Sequence, residues 1–182
     1  MKKLSTYSKH SGFTLIELLV VLGIIGILAG VIYASFGEAR QTARDDIRKS
    51  ELRELQLALE LYKAQNGEYP AACNGDAAWS GASSGSFSCV SNPYIIGLVP
   101  DFISRLPMDP NVSPNRGYIY QVRSTSGART AYKLMANAVV EVKTVANFND
   151  EFARCPSAIG SCASLTFPSA TYSVYSAGAE GW

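Results

Sequence analysis

An apolar stretch near the amino terminus constrains the fold of this 182-residue chain more than any other feature. Residues 13–34 carry a single charge, that of Glu17, and the first proline of the chain is Pro70. A helix needs about 20 apolar residues to cross the hydrocarbon core of a bilayer. The stretch is therefore long enough for one membrane span, and no proline interrupts a helix that continues beyond it.

The charges around the apolar stretch predict its orientation in a membrane. Residues 1–12 contain three lysines and His10 but no acidic residue, whereas Glu38 and Arg40 follow the stretch. Basic residues next to a span favour the cytoplasmic side. The stretch is too long for an ordinary cleaved signal, and no small-residue cleavage site follows it. We therefore expect a single span with the amino terminus in the cytoplasm and most of the chain outside.

Glu17 does not fit a plain membrane anchor. A carboxylate at bilayer depth costs about 2.5 kcal/mol or more unless it finds a partner. One interpretation is that Glu17 reaches the headgroups, since it lies near the end of the span. The other is that it needs a positive partner. A free amino group would lie nearby if the chain were cut just before Phe13.

The residues around Glu17 resemble a known processing site. Residues 9–20 read KHSGFTLIELLV: a basic leader, glycine, phenylalanine, three uncharged residues, glutamate and an apolar run. This pattern resembles the type IV pilin superfamily, which includes type IV pilins, type II secretion pseudopilins and competence pseudopilins. The resemblance implies that a prepilin peptidase cuts between Gly12 and Phe13 and methylates the new Phe13 amine. It also implies that Glu17 neutralises the Phe13 amine of a neighbouring subunit during assembly.

The same resemblance implies a life cycle and a set of partners. The chain would be stored in the inner membrane and then assembled into a periplasmic or extracellular filament. Its partners would be the prepilin peptidase, copies of itself, other pilin-like subunits and an inner-membrane assembly platform. Loss of the three leader lysines changes the formal net charge from +1 to −2. A chain of that charge gives no strong indication of nucleic-acid binding.

The sequence predicts four segments. They are a cleaved leader (1–12), a transmembrane and filament-core half of a long helix (13–34), an amphipathic outer half (35–66) and a globular domain (67–182). Asn66-Gly67 and the following Pro70 predict the end of the helix near residue 65, after roughly 80 Å.

In the outer half of the helix, apolar residues recur at steps of three and four. The stripe predicted to face the domain is Ile47, Leu52, Leu55, Leu59 and Tyr62. Asp45 and Lys49 are four residues apart in the favourable order, and we expect them to pair on the opposite side of the helix.

Four cysteines in an exported domain favour disulfides over metal. Cys73 and Cys89 bracket a loop rich in Ala, Ser and Gly over residues 71–92, and Cys155 and Cys162 bracket a shorter loop. Four cysteines allow three connectivities, of which we favour the two local pairs. The loop is too small and polar to predict a core strand.

Strand patterns occur late in the chain. Residues 118–123 alternate, residues 124–127 form a turn into a second strand over 132–145, and residues 171–176 alternate again. These runs predict a small antiparallel sheet of three or four strands that covers the helix stripe. The fold class is α+β, and the resemblance makes it pilin-like.

Residues 57–70, the sequence LPMDP at 106–110 and the ending at 172–181 resemble the major pseudopilin of type II secretion and its relatives. There are departures, since Asn111-Val112 replaces the usual Trp-Gly and Glu180 replaces an aspartate. These departures weaken the expectation of that family's carboxy-terminal calcium site, and no other cofactor is expected. Asp150, Glu151 and Glu180 could supply oxygen ligands, although their spacing is no recognised calcium loop.

An enzyme is not expected. Residues 81–85 match the Gly-x-Ser-x-Gly pattern of hydrolases but lie in the polar loop, and the only histidine, His10, belongs to the leader. The alternative to a filament subunit is a monomeric membrane-anchored binding module that displays the disulfide-clipped loop, for example in DNA uptake.

Overall fold

The computed structural model describes residues 12–89, 93–111, 113–142, 151–154 and 170–182. One helix, α1 (Leu15–Asn66), comes first in the chain. It begins and ends within two residues of the prediction. Gly67 follows with φ +82°, and its N–H donates to the Lys63 carbonyl at 2.8 Å. A residue with positive φ that bonds back into the last turn is the usual way in which a helix ends.

The chain divides into two compact units, Met1–Arg40 and Gln41–Trp182. In the first unit, the large apolar side chains of α1 are exposed, from Leu15 at 81% to Ile32 at 53%. The helix is long and apolar enough there to cross a membrane, and no residue of the most apolar window is buried. An apolar helix exposed on all sides needs lipid or other helices around it.

The second unit contains a four-stranded antiparallel sheet in the order β1-β2-β3-β4. Its strands are β1 (Ser80–Gly81), β2 (Gly117–Thr125), β3 (Ala128–Asn137) and β4 (Tyr172–Tyr175). The β2–β3 hairpin turns through Ser126 and Gly127, both with positive φ. Such two-residue turns match the right-handed twist of the strands. The helix-plus-sheet architecture confirms the predicted α+β class.

Two strand predictions were wrong. The second strand ends at Asn137 and not at Val145, because Ala138 has φ +58° and leaves the extended conformation; residues 143–145 lie outside the described ranges. The polar loop contains a strand after all, since β1 pairs with β2 at the sheet edge. A Cβ at Gly81 would lie 2.9 Å from Cγ2 of Ile119, so only a residue without a side chain allows this close approach.

The core confirms most of the predicted helix stripe. Leu52, Leu55 and Leu59 are fully buried in one cluster with tyrosines and aliphatic residues of the sheet. Ile47 is 55% exposed, so that part of the prediction was wrong. Arg48 takes the buried position instead, because it precedes Leu52 by four residues and therefore lies on the same helix face.

Candidate functional site

The amino-terminal site consists of Gly12, Phe13, Thr14 and Glu17. Gly12 and Phe13 precede α1, and Phe13 is 86% exposed. Oε2 of Glu17 accepts hydrogen bonds from the backbone N–H of Thr14 at 2.8 Å and from its hydroxyl at 2.7 Å. The Glu17 N–H donates to Oγ1 of Thr14 at 3.3 Å. Residues 14 and 17 thus form a reciprocal capping box at the start of the helix.

This geometry gives Glu17 a partner within its own chain. The capping box satisfies one carboxylate oxygen with two donors but supplies no positive charge. Glu17 can therefore form the helix start and still interact with a cation from another molecule. Thr14 was not predicted to be a partner of Glu17. The spacing of threonine and glutamate at positions 14 and 17 is nevertheless the sequence signal of a capping box.

A second group of charged residues lies around Arg48, which is 1% exposed. Its guanidinium donates to both carboxylate oxygens of Asp109, at 2.5 and 3.0 Å, and to Asp45 at 2.7 Å. It also donates to Glu141 at 3.0 Å. Burial alone would lower the pKa of Arg48, but the hydrogen bonds to Asp109 and Asp45 raise it. We call Arg44, Asp45, Arg48, Asp109 and Glu141 the helix-anchor cluster.

The helix-anchor cluster connects α1 to two distant parts of the chain. Asp109 belongs to the LPMDP stretch, and Arg44 donates to both carboxylate oxygens of Glu141. The carboxylate of Asp45 also accepts from the main-chain N–H groups of Glu141 and Val142. Hydrogen bonds to a planar guanidinium fix both distance and orientation. The cluster therefore sets the position of the helix against these two segments.

The predicted position of Asp45 on the outer side of the helix was wrong. Asp45 is 2% exposed and belongs to the helix-anchor cluster. The Nζ atom of Lys49 lies 4.9 Å from the ring centroid of Tyr172 and 5.7 Å from that of Phe152. Aromatic faces attract a cation at this distance, so Lys49 covers the aromatic edge of the domain.

We expect the helix-anchor cluster to make the domain acid-sensitive through Glu141. The hydrogen bond from Arg44, opposed by burial and assisted by the hydrogen bond from Arg48, lowers the pKa of Glu141 to about 2. A carboxyl with a depressed folded pKa contributes stability above its unfolded pKa, and the contribution is lost as pH falls through the folded value. Stability should fall between about pH 4.5 and 2, and less so in Glu141→Gln.

Urea unfolding of the full chain in detergent, repeated from pH 6 to pH 2, measures this effect. Glu151→Gln is the matched control, because Glu151 pairs with Arg53 at 2.7 Å where both side chains are exposed. Exposed pairs contribute about 0–1 kcal/mol. If the free energy of unfolding fell equally with pH in the parent chain and in Glu141→Gln, Glu141 would not be the source of the acid sensitivity.

Cys73 and Cys89 form a disulfide, as predicted. It closes the loop whose strand β1 completes the sheet, and the N–H of Ala82 donates to the Tyr118 carbonyl at 3.3 Å beside that pairing. Cys155 and Cys162 lie outside the described residues, so their predicted pairing stays a prediction. Asp150 also lies outside them, while Glu151 is exposed and Glu180 is half-buried.

The sequence is similar to a known protein family and to several known proteins. Residues 7–33 match the family described as the prokaryotic N-terminal methylation motif. The chain is 32% identical to the type II secretion system core protein G of Pseudomonas aeruginosa over 130 residues, which cover 71% of this chain and 85% of that protein. The chain belongs to the type II secretion core protein G family. No solved structure matches it.

Other relatives of this core protein G family member include pilins. It is 32% identical to core protein G of Escherichia coli over 107 residues, covering 56% of this chain and 67% of that protein. It is 41% identical to the type IV wide pilus major component PilA4 of Thermus thermophilus over 58 residues, covering 32% of this chain and 44% of that protein.

For a core protein G family member, the hydrolase-like pattern at 81–85 needs no catalytic role. Gly81 belongs to β1, and the 2% exposed Ser83 follows in a loop. A nucleophile elbow would place the serine at a turn from a strand into a helix. The pattern therefore does not have the structural context of a hydrolase site.

Proposed function

We propose that this chain is a structural subunit of a type II secretion pseudopilus or a related type IV pilus-like filament. The similarity to core protein G over 85% of that protein's length carries the proposal. The exposed apolar helix in the first unit supports it. Lipid tails and neighbouring apolar helices are similar surroundings for such a helix, so it can serve first as membrane anchor and later as filament core.

Processing at the leader is the first step of the proposed assembly. A prepilin peptidase cuts between Gly12 and Phe13 and methylates the Phe13 amine, and the methylation motif matched at residues 7–33 supports this step. The subunit is stored in the inner membrane with its amino terminus towards the cytoplasm. An assembly platform then transfers it into a filament with copies of itself and other pilin-like subunits.

Glu17 sets the register of the proposed filament. In the described part of the chain, the capping-box partners of the Glu17 carboxylate are the N–H and hydroxyl of Thr14, which carry no positive charge. The Phe13 amine of a neighbouring subunit supplies a cation when the two helices lie at the axial offset that brings this amine next to Glu17. Since a charge in an apolar core is costly without a partner, other axial offsets are disfavoured.

We expect Gly12→Val to block processing and to leave the full-length chain in the membrane. A Cβ at Gly12 would meet nothing within 4 Å, so the chain itself tolerates a side chain there. The effect would therefore report on the peptidase and not on folding. Intact-mass measurement of the membrane fraction distinguishes a chain that begins at Met1 from one that begins at Phe13.

Gly23→Ala is the control, because a Cβ there also meets nothing within 4 Å while the cleavage site is unchanged. It should be processed like the parent chain. A methylated Phe13 terminus in the parent chain supports the filament route. An intact Met1 would support the alternative, a monomeric anchored module that displays the loop closed by Cys73 and Cys89, and would contradict our proposal.

A further inference from the structure

Lys133 is a fully buried cation that no part of the proposed assembly uses. It lies on β3, and its Nζ donates to three main-chain oxygen atoms. They belong to Arg154 at 2.8 Å, Glu180 at 2.9 Å and Trp182 at 3.0 Å. An ammonium group has three hydrogens to donate, so Lys133 uses its full hydrogen-bonding capacity on these oxygens.

The three oxygens come from segments that lie far apart in the chain. Arg154 follows the short bridge of Ala153 to Tyr172, whereas Glu180 and Trp182 follow β4. The Tyr175 ring lies on another side of Nζ, 5.0 Å from it. The buried Lys133 ammonium requires acceptors, because an unsatisfied buried polar group costs about 1–3 kcal/mol or more. Lys133 therefore ties residues 177–182 to the sheet and to residue 154 through one atom.

Three main-chain oxygens around one positive centre are also the kind of ligand set that holds a metal ion. The family resemblance implies a calcium site near this end of the chain, which makes the fit of a divalent ion testable here. All three oxygens already accept a hydrogen bond from the Lys133 ammonium. The Glu180 carboxylate accepts from the Gly178 N–H at 3.0 Å.

The remaining charges also disfavour a divalent ion. Among the described residues, the positive charges of Lys133 and Arg154 both lie near the Glu180 carboxylate. In the described parts of the chain, no three His, Cys, Asp or Glu side chains are grouped to hold a metal ion. Calcium ordinarily takes six to eight oxygen ligands, including carboxylates. The residues that the structure describes at the Glu180 loop therefore do not fit a calcium ion.

We propose that the Lys133 ammonium is the resident cation of this cage of three main-chain oxygens and fixes residues 177–182 without a metal. Burial, and then the charge of Arg154, lower the pKa of Lys133 to about 8, while Glu180 acts in the opposite direction. The amine therefore remains mostly protonated at pH 7. A lysine in a covalent chain cannot dissociate, so the carboxy-terminal segment stays fixed whatever the calcium concentration around it.

Hydrogen exchange of the full chain in detergent tests the cage. In Lys133→Met, which keeps a similar volume but has no donor, the amides of residues 177–182 should exchange about tenfold faster or more, because three main-chain oxygens lose the donor that holds them together. In Lys133→Ala, added propylammonium replaces the missing atoms and should restore slow exchange. Unchanged exchange in Lys133→Met would overturn the proposal.

Hydrogen exchange of the parent chain with calcium or a chelator needs no variant. It therefore still tests the proposal if a substituted chain fails to fold. Millimolar calcium or a chelator should leave the exchange of residues 177–182 in the parent chain unchanged. Protection by calcium that the chelator reverses would overturn the proposal. Lys63→Met is the matched control, since Lys63 lies 4.4 Å from the Tyr69 ring at another part of the domain, and it should not alter exchange at 177–182.

Discussion

Glu17→Ala is expected to enter the membrane normally and to form no filaments. Removal of the carboxylate makes the inserted monomer more stable, because a charge at bilayer depth costs about 2.5–3.5 kcal/mol. The same change removes the group that would meet a neighbour's Phe13 amine. If that contact contributes about 2.5 kcal/mol, the addition of each subunit weakens about 60-fold. Sheared-filament yield, compared with membrane-bound protein, measures the effect.

The capping box allows the charge of Glu17 to be separated from its role at the helix start. Glu17→Gln keeps a side chain that can accept from the Thr14 N–H but removes the charge. Thr14→Ala keeps the charge but removes the hydroxyl that donates to Glu17. We expect Glu17→Gln to fail like Glu17→Ala, and Thr14→Ala to retain most assembly. Normal filaments from Glu17→Gln would contradict the proposed register mechanism.

The helix was predictable because its signals are local. Absence of proline before Pro70, the apolar run and the Asn66-Gly67 ending are all read within a few residues. The hairpin around Ser126-Gly127 was predictable for the same reason, since the turn needs residues that accept positive φ. Short β1 was missed because its two small residues become a strand only through pairing with β2.

The buried charges were not predictable from spacing. On α1, Arg48 reads as a solvated residue of a charged helix, and its partners Asp109 and Glu141 are 61 and 93 residues away. Likewise, Lys133 lies in a strand whose pattern gives no reason to bury a cation, and its three acceptors are main-chain atoms that carry no sequence signal. Long-range polar contacts of this kind depend on the folded chain, whereas apolar periodicity does not.

Arg48→Met is expected to be the most destabilising single change in the globular domain, by about 3–5 kcal/mol. Methionine replaces the aliphatic part of the Arg48 side chain but not its guanidinium. The carboxylates of Asp45 and Asp109, both 2% exposed, then remain buried without their cation. Such a loss is a large part of the stability of a domain this size. Urea unfolding of the full chain in detergent, followed by near-ultraviolet circular dichroism, measures the change in the free energy of unfolding.

A triple variant distinguishes two causes of the stability loss in Arg48→Met. The loss comes either from the missing hydrogen bonds of Arg48 or from the buried carboxylates that remain charged without a cation. In Arg48→Met combined with Asp45→Asn and Asp109→Asn, no buried carboxylate of this pair remains charged, so much of the lost stability should return. Arg53→Met is the matched control, because its pairing with Glu151 is exposed, and it should cost about 1 kcal/mol or less. A triple variant as unstable as Arg48→Met would mean that the cluster acts through its specific hydrogen bonds, which hold α1 in place.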